Sequence, residues 1–333
     1  MPRLQGAQGE RAVRPGREAG IDPVCHTLVG AGLARSGLGR RTAWGMLTLL
    51  AGANVPDVDV LSYWDGPLGD LAFRRGWTHG IPALLLWPFV LTGTILLLDR
   101  VVRARRPATP ALQPREVLRL SAIAVVSHPI LDTLNTYGVR WLMPFDGRWF
   151  YGDTLFIVDP WMWLVLALGV GLSRGGRDRP ARLALVVASV YLAAMVGLSV
   201  AGRRTASAEL EAAGGGPVDR LMVAPVPADP FTRRVVARQA DGYRTAMFHW
   251  LRRPHIDQAS VRRFPAPGPA DPALLAAART VPGRRFLGWA RFPIVEVEHR
   301  PDGTVVHLVD LRYRESAGPG FAAVSVPLPA TPR

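Results

Sequence analysis

A chain of 333 residues has room for one or two domains, and its single cysteine, Cys25, excludes an internal disulfide framework. The formal charge of +14 comes from 40 basic residues, all of them arginine, against 26 acidic ones. Arginines gathered at the ends of apolar runs, with no lysine, argue against a dedicated phosphate-binding surface, so nucleic acid is not expected as a partner.

Residues 1–21 contain Arg3, Arg11, Arg14 and Arg17 and lack the apolar core of a signal peptide, so a disordered N-terminal extension is expected. From residue 22 the chain becomes apolar. Segment 23–39 is rich in small residues and is marginal as a span. Segments 80–98 and 183–201 are each free of charge for 19 residues, close to the ~20 that cross a hydrocarbon core. Segments 42–56, 117–133 and 158–172 are shorter or carry His, Asp or Pro, and are expected to span or to lie buried in the bundle. Gly and Ala within such segments let helices approach closely.

The connections set orientation. Loop 99–116 carries Arg100, Arg103, Arg105, Arg106 and Arg115; loop 173–182 carries Arg174, Arg177, Arg179 and Arg182; Arg35, Arg40 and Arg41 precede segment 42–56. The positive-inside rule makes these three cytoplasmic. Loops 57–78 and 134–157, which hold most of the acids, then lie outside, together with everything after residue 202. Beyond that point Asp241-Gly242 and Asp302-Gly303 each separate β-branched and aromatic stretches, which is a hairpin signal. The expected fold is mainly α: a polytopic membrane helix bundle over 22–202, with a small extracytoplasmic, β-rich α+β domain over 203–333.

Ionisable groups are costly at membrane depth and normally face a partner, a cavity or an ion. His26, Asp57, Asp59, His79, His128, Asp132, Asp153 and Asp159 all fall at the outer ends of these segments. Asp57 and Asp59, two apart after Pro56, can turn toward one cation, or they can form an ordinary helix exit. His79 enters the 80–98 helix as a ligand, or as an interfacial residue beside Trp77. His128 and Asp132, four apart, share a helical face and suit joint chelation, an orienting pair or a structural hydrogen bond. Asp159-Pro160 reads first as a helix N-cap.

Three His and several Asp without Cys suit a divalent ion, Zn²⁺ or Mn²⁺, and hydrolysis is the reaction class that needs nothing more. His26, Asp57, His79 and His128 are the expected ligands. Asp59 and Asp132 are further ligands or orienting groups, and Asp132 or Asp153 is a candidate general base. Arg75 is a candidate partner for an anionic substrate.

The stretches DPVCHTLVGAGLA, NVPDVD, RRGWTHG, SHPILDTLNTYG and WFYGDTLFIVDP, in this order over about 22–202, resemble the YdjM-like family of inner-membrane proteins assigned as metal-dependent hydrolases. The resemblance implies a polytopic fold with a metal site formed by His26, Asp57, Asp59, His79, His128 and Asp132. PVPADPF at 225–231 is similar to the outer domain of longer members. Gly80 stands where many members carry Ser, and Pro129 where many have none. The function expected is hydrolysis of a lipid-linked or amphipathic (phospho)ester at the outer face, with membrane lipid as partner. A non-enzymatic scaffold or transporter-like protein with buried polar groups is the alternative.

Overall fold

The computed structural model describes residues 22–65, 71–105, 112–301, 303–314 and 322–329. The expected extension at 1–21 and Asp302 of the second Asp-Gly pair lie outside them. Contacts divide the chain into two compact units, one of residues 20–266 and one containing 267–333.

The first unit opens with α1 (Pro23–Arg35), where the Asp22 carboxylate accepts the Cys25 N–H at 2.9 Å and Pro23 takes the first turn. α2 (Gly45–Gly52) follows, and Val55–Asp65 then winds as a tighter 3₁₀ run. Next come α3 (Ile81–Arg105), α4 (Pro114–Thr133), α5 (Pro160–Leu172) and α6 (Arg179–Leu210). Asp159 caps α5 by accepting the Trp161 and Met162 amides, the role the Asp-Pro pair implied.

Among the described residues two helices, α3 and α6, are long and apolar enough to cross a membrane, and α5 is a shorter apolar helix. Their outward faces carry exposed Leu85, Phe89, Leu168, Leu172, Leu183 and Val190, an apolar surface unfavourable in water and suited to lipid. Segment 42–56 takes the buried alternative of its sequence expectation. Its helix has only eight residues, about 12 Å of rise, shorter than a ~30 Å core. Pro56 forbids the helix from continuing, and α2 instead packs between α1 and α4. Leu49 and Ala53 meet Ala34, Leu120 and Ala124 there.

One end of this unit gathers the arginine-bearing connections. Arg40 and Arg182 both reach Asp178, at 2.6 and 3.0 Å, Thr42 accepts the Gln113 N–H at 2.9 Å, and Trp44 donates to Asp99 at 2.9 Å. Residues 40–44, 99, 113 and 178–182 therefore meet at this end.

Hydropathy changes near residue 203, but α6 continues unbroken to Leu210, so the contact boundary falls much later. Ala206 and Leu210 underlie an antiparallel sheet of β1 (Arg220–Val226), β2 (Asp229–Gln239), β3 (Gly242–His249) and β4 (His255–Phe264), in that order. Gln239 pairs with Gly242 across the Asp241-Gly242 turn. Gly242 sits at φ 130°, and an added Cβ would lie 2.6 Å from the Phe264 carbonyl oxygen, so only glycine fits. The second unit holds α7 (Pro272–Arg279), α8 (Val281–Trp289) and the antiparallel strands β5 (Pro293–Arg300), β6 (Gly303–Asp310) and β7 (Ala323–Pro329).

α5 and α6 approach most closely at Gly169, where an added Cβ would overlap the Ala184 side chain. Gly169→Leu should destabilise the protein by roughly 1–3 kcal/mol through overpacking, read as a lower thermal midpoint in detergent. Gly171→Leu, at a position with nothing within 4 Å, should leave the midpoint nearly unchanged.

Candidate metal centre

The end of the first unit opposite the arginine connections collects the predicted acids and histidines. Asp57, His79, His128 and Asp132 each offer a ligand atom within 4.8 Å of the others, and all but Asp57 are fully buried. The 3₁₀ run delivers Asp57, the turn before α3 delivers His79, and one face of α4 delivers His128 and Asp132, one helical turn apart.

The histidine tautomers follow from their other ring nitrogens. His128 Nδ1 lies 2.7 Å from the Ala53 carbonyl, which can only accept, so Nδ1 carries a proton and in the neutral ring Nε2 carries a bare lone pair. His79 Nδ1 lies 2.8 Å from Thr78 Oγ1, whose hydroxyl donates to Asp59 Oδ2 at 2.8 Å. The threonine oxygen must then accept from His79 Nδ1–H, and His79 Nε2 is bare as well. These two Nε2 atoms face each other across 3.1 Å. Asp132 Oδ2 is 3.3 Å from His79 Nε2 and 3.5 Å from His128 Nε2, and Asp57 Oδ1 is 3.5 Å from His128 Nε2. Asp57 Oδ2 and Asp132 Oδ2 are buried without a hydrogen-bond partner.

Four acceptors crowded together in a buried place repel unless a cation lies among them. Donors bound about 2.0–2.1 Å from a tetrahedral zinc are separated by about 3.3 Å, and the 3.1–3.5 Å spacings fit that figure. The donor set of two imidazoles and two carboxylates suits the same class of ion.

Asp59 does not join Asp57. Successive residues of a 3₁₀ helix are rotated by about 120°, so carboxylates two apart diverge. Asp59 turns behind His79, with Oδ2 at 3.3 Å from Nδ1 and accepting the Arg75 amide at 2.9 Å. It orients the imidazole, an arrangement common behind metal-binding histidines. Burial works to raise the Asp59 carboxyl pKa, and His79, the Arg75 amide and Arg74 outweigh it, so it stays below the ordinary carboxylate value.

His26 also stands outside the four-residue group. Its Nε2 lies 3.3 Å from Asp132 Oδ1, and its ring stacks on His128 with centroids 3.7 Å apart. Arg75 is 1% exposed, and its guanidinium donates to Asp132 Oδ1 at 2.7 Å and Asn135 Oδ1 at 3.1 Å, so it is engaged with the protein. Asp132, accepting from Arg75 on one oxygen, is itself poorly placed as a base. Asp153 lies off the cluster and pairs with Arg203 at 3.1 Å. Arg75 and Asp153 both hold left-handed backbone, φ 49° and 51°, a conformation that costs roughly 1–3 kcal/mol for a non-glycine residue.

The sequence reading missed Thr78, Asn135 and the Ala53 carbonyl. Thr78 was legible as the neighbour of His79, and Asn135 accepts the Tyr137 amide at 2.8 Å, a turn signal in Asn-Thr-Tyr-Gly. The Ala53 carbonyl leaves no trace in residue identity.

The profile of a family described as YdjM inner membrane protein matches residues 21–203, which includes every residue of this centre. YfhP of Bacillus subtilis, described only as an uncharacterized protein, is 26% identical over 119 residues, 36% of this chain. The chain spans about a third of the length of that curated relative. No solved structure gives a significant match.

Detergent-purified protein should carry a divalent ion that His79→Ala with His128→Ala removes, as measured by inductively coupled plasma mass spectrometry. Asp59→Asn should weaken the ion by roughly 10–100-fold in competition with a chromophoric chelator, the usual effect of losing an orienting carboxylate.

Proposed function

The chain belongs to the YdjM inner-membrane family, and from that premise we propose that it is a polytopic membrane hydrolase with a divalent-metal centre at the outer face. The substrate class is a lipid-linked or amphipathic ester, including phosphoesters. Membrane residence rests on the family and on two apolar helices. The observation that carries the hydrolase reading is the buried group Asp57, His79, His128 and Asp132, with two bare Nε2 atoms 3.1 Å apart.

Asp57, His79, His128 and Asp132 would hold the ion, Zn²⁺ or Mn²⁺ by donor chemistry. When bound, it supplies Lewis acidity that polarises a carbonyl or phosphoryl oxygen and makes water more acidic. Ala53 and Asp59 keep the two imidazoles in the donating tautomer. Arg75, locked on Asp132 Oδ1, compensates that buried carboxylate and leaves Oδ2 facing the imidazoles. The exposed apolar faces of α3, α5 and α6 suit a lipid environment, in keeping with a substrate that carries a lipid tail. The β-bearing residues after 202 are proposed to lie outside the membrane, which keeps the arginine-rich connections inside.

A second reading is favoured by the pairs Arg75–Asp132 and Arg203–Asp153, which engage two candidate catalytic carboxylates. In that reading the polar groups only hold helices together, in a scaffold or transporter-like protein.

Purified protein should hydrolyse at least one of p-nitrophenyl butyrate, bis-p-nitrophenyl phosphate and phosphatidic acid in nanodiscs. A strong chelator should abolish the activity and Zn²⁺ or Mn²⁺ restore it. Turnover of none of them by metal-loaded protein would favour the scaffold. Reporter fusions after residues 110, 145, 178 and 333 should map in, out, in and out, and a cytoplasmic reporter at 145 would break the topology.

A further inference from the structure

Beside the four-residue group lies a cavity of about 20 Å³, bordered by Asp22, His26, Asp132, Asn135 and Asp159 together with apolar side chains such as Phe156. A cavity needs roughly 10–15 Å³ to hold one water, together with two to four polar partners, and this one meets both conditions. His26 is 3% exposed. Its Nε2 faces Asp132 Oδ1 at 3.3 Å, and a carboxylate can only accept, which favours the neutral tautomer with its proton on Nε2. His26 Nδ1 is then a bare lone pair, buried and without a hydrogen-bond partner. An imidazole this deeply buried normally has both nitrogens satisfied. The missing partner must be a donor, and the cavity on which the ring borders has room for one.

Asp132 joins the two places. One oxygen faces the two bare Nε2 atoms, and the other fixes the His26 tautomer. A carboxylate that orients an imidazole whose far nitrogen meets water is the arrangement of a general base.

We propose that this cavity binds the attacking water and that His26 Nδ1 is its base, so that His26 is a catalytic residue and not a metal ligand. The inference rests on the hydrolase reading above. The water proton passes to His26 Nδ1 as the water oxygen bonds to the ester carbon or phosphorus. The imidazolium so formed is stabilised by Asp132 Oδ1. The ester bond then breaks, the leaving oxygen departs with the bonding pair, and the Nδ1 proton passes to it, returning His26 to its starting state. No oxidant or further reactant enters.

His26→Gln should keep the metal stoichiometry of the wild type while losing roughly 10²–10⁴-fold in hydrolysis of whichever ester the wild type turns over, the range for removing a general base. Added imidazole should partly restore His26→Ala. Loss of the ion together with activity in His26→Gln would make His26 a ligand and overturn this inference, leaving the hydrolase reading intact. Unchanged activity would overturn it equally. Should the variants fail to fold, or the wild type hydrolyse none of the probes, ¹⁵N-histidine NMR of the wild type decides. A proton on His26 Nε2 with Nδ1 accepting from water supports the assignment, and a proton on Nδ1 refutes it.

Discussion

The organisation of the first unit depends on two imidazole lone pairs held face to face. His79 and His128 are each locked by an acceptor or hydroxyl on Nδ1, and their Nε2 atoms stand 3.1 Å apart with carboxylate oxygens around them. Neutral lone pairs at that distance repel, and in a low-dielectric interior the repulsion is poorly screened. A cation placed among them makes the arrangement favourable. The 3₁₀ run, the turn before α3 and the last turn of α4 converge on this point.

The surrounding charges are consistent with that role. Arg74 acts on Asp59 and Arg75 on Asp132, two guanidiniums against the three carboxylates Asp57, Asp59 and Asp132. A site left slightly negative suits a divalent ion. Arg75 sits at the hub, its amide on Asp59 and its side chain on Asp132, and its left-handed backbone is the local cost of reaching both. Asn135 and the Tyr137 ring, 4.9 Å from the guanidinium, complete its cradle.

Helix packing serves the same end. Close approach at Gly169 brings α5 against α6. α1 then lies against both of these helices, with Cys25 among Met162, Leu166 and Ala188. This stacks His26 on His128 and encloses the small cavity beside Asp132. The long α6 carries the first sheet on its far end, so that sheet belongs to the same compact body as the centre.

The residue pattern alone determined a good deal. Charge-free runs marked α3 and α6, because lipid and helix geometry tolerate few other compositions over such lengths. Clustered arginines marked the connections that meet at one end, and the i,i+4 spacing put His128 and Asp132 on one face. Asp-Pro and Asp-Gly marked the α5 cap and the β2–β3 turn, where backbone geometry admits few residues. Tertiary structure alone decided the shortness of α2, the divergence of Asp59 from Asp57, and the engagement of Arg75 and Asp153 in ion pairs. It also decided that His26 meets Asp132 from beside the four-residue group. Local spacing specifies which residues share a face over one or two turns. Which ring nitrogen meets which oxygen depends on backbone carbonyls such as Ala53 and on helices distant in sequence, and neither is written in the identity of the residues concerned.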